Sequence, residues 1–155
     1  MRGKKAKRRI APSDTLYKSR VVARMINTVM QCGKKSLAEK KVYTAMKSLA
    51  EDPKESLRML EQAIKNVMPQ QEVRSRRVGG ATYQVPVPLK HERSEALAVR
   101  WIVSAARSKK GRPMEVKLFE ELKNSYQGMG DSIKKRDDVH RMAEANRAFA
   151  HFARF

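Results

Sequence analysis

The sequence predicts a mainly α-helical fold: a six-helix, bundle-like body, a protruding two-stranded β-ribbon and a basic N-terminal tail. Three observations predict it. Apolar residues recur at helical spacing through most of the 155-residue chain. One interruption, over residues 72–90, carries β-branched and aromatic residues on either side of a Gly-Gly pair. Ahead of the first helix, residues 1–13 hold a run of Lys and Arg with no acid.

Length and composition bound the rest. A chain of 155 residues suits one domain, residues 1–155, with one core. Lys and Arg number 35 against 16 Asp and Glu, a formal net charge of +19. Such an imbalance repels itself in the compact state and is usually retained because a polyanion neutralises it. Nucleic acid and an anionic membrane surface are the two candidates. No apolar run approaches the roughly 18 residues of a membrane span, and the basic N-terminus leads into no apolar stretch. No membrane association is therefore expected. A mitochondrial presequence would need amphipathic spacing that the tail lacks. Cys32 is the one cysteine, so no internal disulfide forms. With three His and no paired Cys, neither a metal nor a cofactor is expected.

In the tail, Arg2, Lys4, Lys5, Lys7, Arg8 and Arg9 are suited to act as a nucleic-acid arm or simply as a solvated, solubilising segment. The first helix begins near Ser19, with Val21, Val22, Met25, Ile26, Val29 and Met30 at helical spacing and Gly33 as its terminator. Ser36-Leu37-Ala38-Glu39 reads as a capping box opening a second helix, whose apolar stripe takes in Leu37, Ala38, Val42, Ala45, Met46 and Leu49. Asp52-Pro53 is a cap and first-turn pair for a third helix, which runs through Leu57, Leu60, Ile64 and Val67 until Pro69. After the ribbon, Leu97, Ala98, Trp101, Ile102 and Ala105 share a face. A fifth helix starts near Pro113, uses Val116, Leu118, Phe119, Leu122 and Tyr126, and stops at Gly128. Residues 128–136 read as a polar loop, and a last helix is expected from about Asp137 through Ala150.

Chemistry of catalysis finds no anchor. His91, His140 and His151 lack ligand-like spacing, and Gly79-Gly80 lacks the Lys and Ser/Thr of a phosphate-binding loop. With no nucleophile, base or metal set to assign, no enzyme is expected. The ribbon is the sharpest feature. From position 73 to 89 it holds Arg74, Arg76 and Arg77 and no acid, with Arg74 and Arg76 on one face and Arg77 on the other. A planar guanidinium grips a phosphate with two bonds or stacks on an exposed base, which suits irregular RNA. The alternative is a charged edge that discourages strand pairing. Tyr83 is placed to stack on a base or to cover Val73 or Val78, and Gln84 to read a base edge or stay solvated. Further cations cluster at Lys34-Lys35, at Arg100 and Arg107 on one helical face, at Lys109, Lys110 and Arg112, and at Lys134, Lys135, Arg136 and Arg141. Their number argues for an extended surface of phosphate contacts. A DNA-binding regulator would instead need a compact helix-turn-helix and dimer symmetry, and a chaperone acting by charge alone would need no ordered ribbon.

At EVRSRRVGGATYQVP, residues 72–86, the chain closely resembles the small-subunit ribosomal protein seven family of bacterial or organellar type. Gly33-Lys34-Lys35, ALAVRWIVSAAR at 96–107 and KKRDDVHRMAEANRAFAHF at 134–152 agree in order, so the resemblance runs from about residue 14 to 152. It implies a helical body with a protruding ribbon that binds small-subunit ribosomal RNA and organises the subunit head. The ribbon from Arg74 to Tyr83, including Arg77, Gly79, Gly80 and Gln84, would lie near exit-site transfer RNA and the messenger path. The tail, Lys34-Lys35, the basic end of the Trp101 helix and Lys134 to Arg136 would hold ribosomal RNA. Contact with ribosomal protein eleven is implied, in a cytoplasmic or organellar ribosome. Pro88 departs from the acidic residue usual there, the connection at 51–55 is slightly short, and the ending HFARF replaces a commoner aromatic one.

Overall fold

The computed structural model describes Gly3 and residues 12–154. Its elements run α1 Arg20–Val29, α2 Lys35–Leu49, α3 Pro53–Val67, β1 Gln71–Val78, β2 Ala81–Pro88, α4 His91–Ser108, α5 Met114–Tyr126, α6 Asp131–Ala145 and a closing 3-10 helix, Arg147–Arg154. The six expected helices and the ribbon are all present. The 3-10 helix is additional, because the last predicted helix breaks at Asn146, whose side-chain amide donates to the Met142 carbonyl at 2.7 Å.

Periodicity explains the body. In α1, Val22, Met25, Ile26 and Val29 fall three or four apart and are buried together. They meet Ala38, Val42, Ala45 and Met46 of α2, Leu60, Ala63, Ile64 and Val67 of α3, the Ala98–Ile102–Ala106 face of α4, and Leu118 and Leu122 of α5 in one buried cluster. Each fully buried Leu, Ile or Met side chain there stabilises the fold by about 1.5–3 kcal/mol relative to exposure. Trp101 packs against this cluster, as its apolar stripe predicts. Leu37 does not: it is 49% exposed.

Two helix starts separate local from tertiary signals. At α3 the sequence signal suffices, since the Asp52 carboxylate accepts from the Lys54 amide at 3.0 Å with Pro53 in the first turn. At α2 the expected capping box does not form. The chain turns at Cys32 and Gly33, both in the left-handed region, so the Lys34 carbonyl already receives the Ala38 amide at 3.3 Å. The helix therefore opens at Lys35, and Ser36 lies inside it. Ahead of α1, the buried Asp14 accepts from the Leu16 and Tyr17 amides and from the Tyr43 hydroxyl, at 3.1, 3.0 and 2.7 Å. Burial, and then the hydrogen bond to Asp14, push the Tyr43 phenol above its usual 10.0, so it remains a donor.

The largest correction lies at residues 128–136. The expected loop is only a turn, and α6 begins at Asp131, with Lys134, Lys135 and Arg136 on the helix. The cause is Glu121, fully buried on α5. Its Oε1 accepts from the Ser132 amide at 3.0 Å and the Ser132 hydroxyl at 2.8 Å, so a side chain from another helix serves the first turn of α6. Ser125 completes the group, 2.9 Å from the Ser132 hydroxyl and donating to the Glu121 carbonyl at 2.7 Å. Gly130, at φ +103°, makes the close approach possible: a Cβ there would lie 2.9 Å from Oε1.

The ribbon pairs Val78 with Ala81 and Gln71 with Pro88, eight residues in each strand. Gly79 and Gly80 both have positive φ, 56° and 91°, as a two-residue primed turn requires. Pro86 and Pro88 stand opposite Val73 and Gln71, and a two-stranded sheet leaves each strand an open edge for a missing amide. An isolated hairpin is marginal in water, yet this one is braced. Val85 is fully buried, His140 of α6 accepts from the Gln70 amide at 3.1 Å, and the Ser94 hydroxyl donates to the Pro69 carbonyl at 2.6 Å.

Gly130→Ala should destabilise the chain by about 2 kcal/mol, since it combines a strained φ with a clash on a buried carboxylate. The urea midpoint should fall with an unchanged m-value; an unaltered midpoint would mean the α5–α6 turn does not need that approach.

Candidate nucleic-acid interface

The fold divides the predicted cations into two groups according to what each touches. Arg107, near the end of α4, donates from Nη2 to the Thr28 and Val29 carbonyls at 3.1 and 3.2 Å. It satisfies the C-terminal end of α1, where unpaired carbonyls gather. The Lys109 ammonium lies 2.9 Å from Oε2 of Glu121 and neutralises that buried carboxylate. Arg112 pairs with Glu120. On α6, Arg136 reaches the Asn66 carbonyl at 2.5 Å and Asp137 at 2.6 Å, tying α6 to the end of α3. Lys134 and Arg141 make exposed pairs one turn along the helix with Asp131 and Asp138, at 3.2 and 3.1 Å. Pairs of that kind contribute little and exchange readily with an external anion.

The ribbon shows the same division. Arg74 is 2.5 Å from Glu72, which also holds Arg93 of α4 at 3.4 Å. Glu72 lies just before the acid-free stretch and anchors the base of the ribbon to the body. Arg76 and Arg77 have no such partner among the described residues. Cross-strand neighbours share a face, so Arg77 and Thr82 lie on the exposed face with Ser75 and Gln84, and Arg76 lies beside the half-buried Tyr83. Tyr83 has aromatic partners that the sequence reading did not include. Its ring packs against Phe149 at 5.3 Å and Phe152 at 5.0 Å, both from the C-terminal 3-10 helix. Gln84 exchanges hydrogen bonds with Ser75 across the ladder, at 3.2 and 3.0 Å.

Lys34, Arg100, Lys110 and Lys135 are exposed and, among the described residues, have neither an ion pair nor a side-chain hydrogen bond. Lys35 is exposed too, with Glu39 a loose 3.6 Å away. Lys135 and Asp131 face Trp101, Ser104 and Ser108 across a shallow groove between α6 and α4. The predicted tail residues Arg2, Lys4, Lys5, Lys7, Arg8 and Arg9 lie outside the described residues. Among the described residues no group of three His, Cys, Asp or Glu gathers to hold a metal, and no helix is long and apolar enough to cross a membrane.

Sequence reasoning missed the residues that orient the interface. Arg93, Asn66, His140, Phe149 and Phe152 all act on elements distant in sequence. Asn66 donates to the Ser125 and Tyr126 carbonyls, each at 3.0 Å. Only the aromatic spacing of Phe149 and Phe152 carried a local signal, and it reads equally as a helical core stripe.

The model of one family, ribosomal protein S7p/S5e, matches residues 1–147. The chain belongs to this family. Among its relatives, small ribosomal subunit protein uS7 of Thermosipho melanesiensis is 58% identical over 153 residues, covering 98% of this chain and 99% of that protein. The uS7 proteins of Fervidobacterium nodosum and Thermotoga maritima are 54% and 52% identical over the same shares of both chains. Family members are structural and non-enzymatic, and this chain has a structural role in the small ribosomal subunit.

Lys109→Met should lower stability by about 2–3 kcal/mol, near the low end for breaking a buried pair because the ammonium keeps some hydration. Lys110→Met should stay within about 0.5 kcal/mol of the parent. Chemical denaturation of the two variants separates a cation that holds the fold from one that is free; equal effects would refute the division.

Proposed function

We propose that the chain binds the RNA of the small subunit and organises its head domain, with the ribbon directed at exit-site transfer RNA beside the messenger path. One observation carries this reading. Cations without an ion pair among the described residues, the half-buried Arg76 and exposed Arg77 on the ribbon, and exposed Lys34 at the α1–α2 junction, Arg100 and Lys110 about α4, and Lys135 on α6, recur on several separate elements. A duplex-reading regulator concentrates its contacts on one helix and a symmetric partner. An extended, irregular RNA surface is met by many separate contacts.

Family membership supports the same partner. Arg74, Arg107, Lys109, Arg112 and Arg136 remain at the interface in this reading, but their inward pairs give them a positioning share as well as a phosphate share. Lys35, Lys134 and Arg141 can exchange weak surface pairs for phosphate. Gly79 and Gly80 shape the turn that presents Arg77, while Tyr83 and Gln84 stiffen the ribbon behind it. The predicted tail adds further phosphate contacts. Ribosomal protein eleven is the proposed protein neighbour, and a cytoplasmic ribosome the proposed location.

Binding to small-subunit ribosomal RNA should weaken steeply with salt, because each neutralised phosphate releases counterions. Duplex DNA that competes equally at moderate salt would overturn the specific claim. Arg76→Ala combined with Arg77→Ala should leave the melting curve unchanged and reduce RNA affinity only modestly, since two contacts among many are lost. Translation in cells carrying only that variant should be impaired. Unchanged translation would remove the ribbon from the functional surface.

A further inference from the structure

A groove of about 310 Å³ lies where the α1–α2 junction meets the end of α4 and the start of α5. Val29, Leu37, Ala38 and Met114 give it an apolar floor, and Lys34, Lys41 and Arg107 surround that floor with positive charge. Leu37 is 49% exposed there, at a position where the helix pattern calls for a buried side chain. Among the described residues Lys34 has no ion pair, and Arg107 bonds protein only through Nη2. Lys41 is paired loosely with Glu115, at 3.8 Å. Cys32 lines the groove from a backbone at φ +51°, a strained conformation for a residue with a Cβ and one that clusters at ligand clamps.

An apolar floor ringed by cations fits a ligand with a flat, weakly polar body and anionic flanks. A phosphate alone needs no such floor, and an A-form helix keeps its bases stacked inside. An unpaired nucleotide offers both parts, since RNA loops and bulges splay single bases out to be held by protein. The volume is at the small end of ligand sites, suited to one such unit. We infer that this groove receives a single extrahelical nucleotide of the bound RNA, with its base on the Leu37–Met114 floor and its flanking phosphates against Lys34 and Arg107. The inference rests on the RNA binding proposed above and adds a base-holding site to a surface otherwise built for phosphates.

The test uses the full chain and a small-subunit ribosomal RNA transcript. Leu37→Gln keeps helix propensity and removes the apolar contact from an exposed position, so the fold should be retained, as a melting curve would verify. Met114→Gln serves as a second variant from the opposite wall. Each should weaken RNA binding about tenfold, the scale of one base contact, without changing the salt slope. Lys34→Ala should instead lower that slope by about 1. Cys32, the chain's one cysteine, should react with a maleimide in the free protein and be shielded in the complex. Parent-like affinity in both Gln variants, or a Cys32 as reactive in the complex as before, would overturn the groove while leaving RNA binding intact. Loss of a protein neighbour with RNA affinity unchanged would give the groove to a protein segment and equally overturn the inference. Failure of the parent chain to bind the transcript would overturn both readings.

Discussion

A carboxylate removed from water must be compensated on every side, and Glu121 is the point where this chain meets that demand. Its two oxygens face different partners, Lys109 from the α4–α5 connection and Ser132 at the first turn of α6. One side chain thus fixes where α4 ends relative to α5 and where α6 begins. From that start, α6 carries Arg136 to the last carbonyls of α3 and His140 to the Gln70 amide at the root of β1. The direction of the ribbon therefore follows from a carboxylate of α5 buried against the far end of that helix. An apolar replacement could fill the space without specifying the angle.

Charge is distributed accordingly. With 16 acids for 35 basic residues, neutralisation inside the molecule cannot be general. Several acids sit where a cation also does structural work: Glu121 with Lys109, Glu72 with Arg74 and Arg93, Glu95 with Arg24 at 2.7 Å. The remaining positive charge is left outward on the ribbon tip, on helix faces and in the connections. Self-repulsion among those groups opposes the compact state until an anion arrives. Binding and stability are therefore linked, because a polyanion that engages only the folded arrangement shifts the folding equilibrium toward it.

How far the sequence reveals all this depends on the range of each interaction. Helical stripes such as Val22, Met25, Ile26 and Val29 are local and readable, as are the Asp52-Pro53 start and the Gly79-Gly80 turn. The start of α6 is not, since its amide is served by a residue eleven positions earlier on another helix. Lys134, Lys135 and Arg136 therefore read as loop residues although they lie on a helix. The apparent capping box at Ser36 fails for a related reason: the left-handed pair at Cys32 and Gly33 starts α2 before the serine can act. Basic residues as candidates for an interface are likewise visible in the sequence. Which of them turn inward is not, because Arg107 and Lys109 differ from Arg100 and Lys110 only in what the fold places opposite them.

The brace on the ribbon bears directly on what binding to any polyanion would cost it. A free hairpin of sixteen strand residues would lose much of its conformational freedom on binding, and that loss would be subtracted from the affinity. Here the loss is met during folding, through Val85 in the core, the Glu72 pairs at the base, and the Phe149 and Phe152 rings against Tyr83. The two guanidinium groups without an ion pair among the described residues, Arg76 and Arg77, are consequently the main movable parts of a stiff arm. They can adapt to a phosphate or a base while the backbone beneath them keeps its place. Such an arm keeps its reach whether or not an anion lies beside it, so a partner meets guanidinium groups that need no reordering of the backbone to engage it.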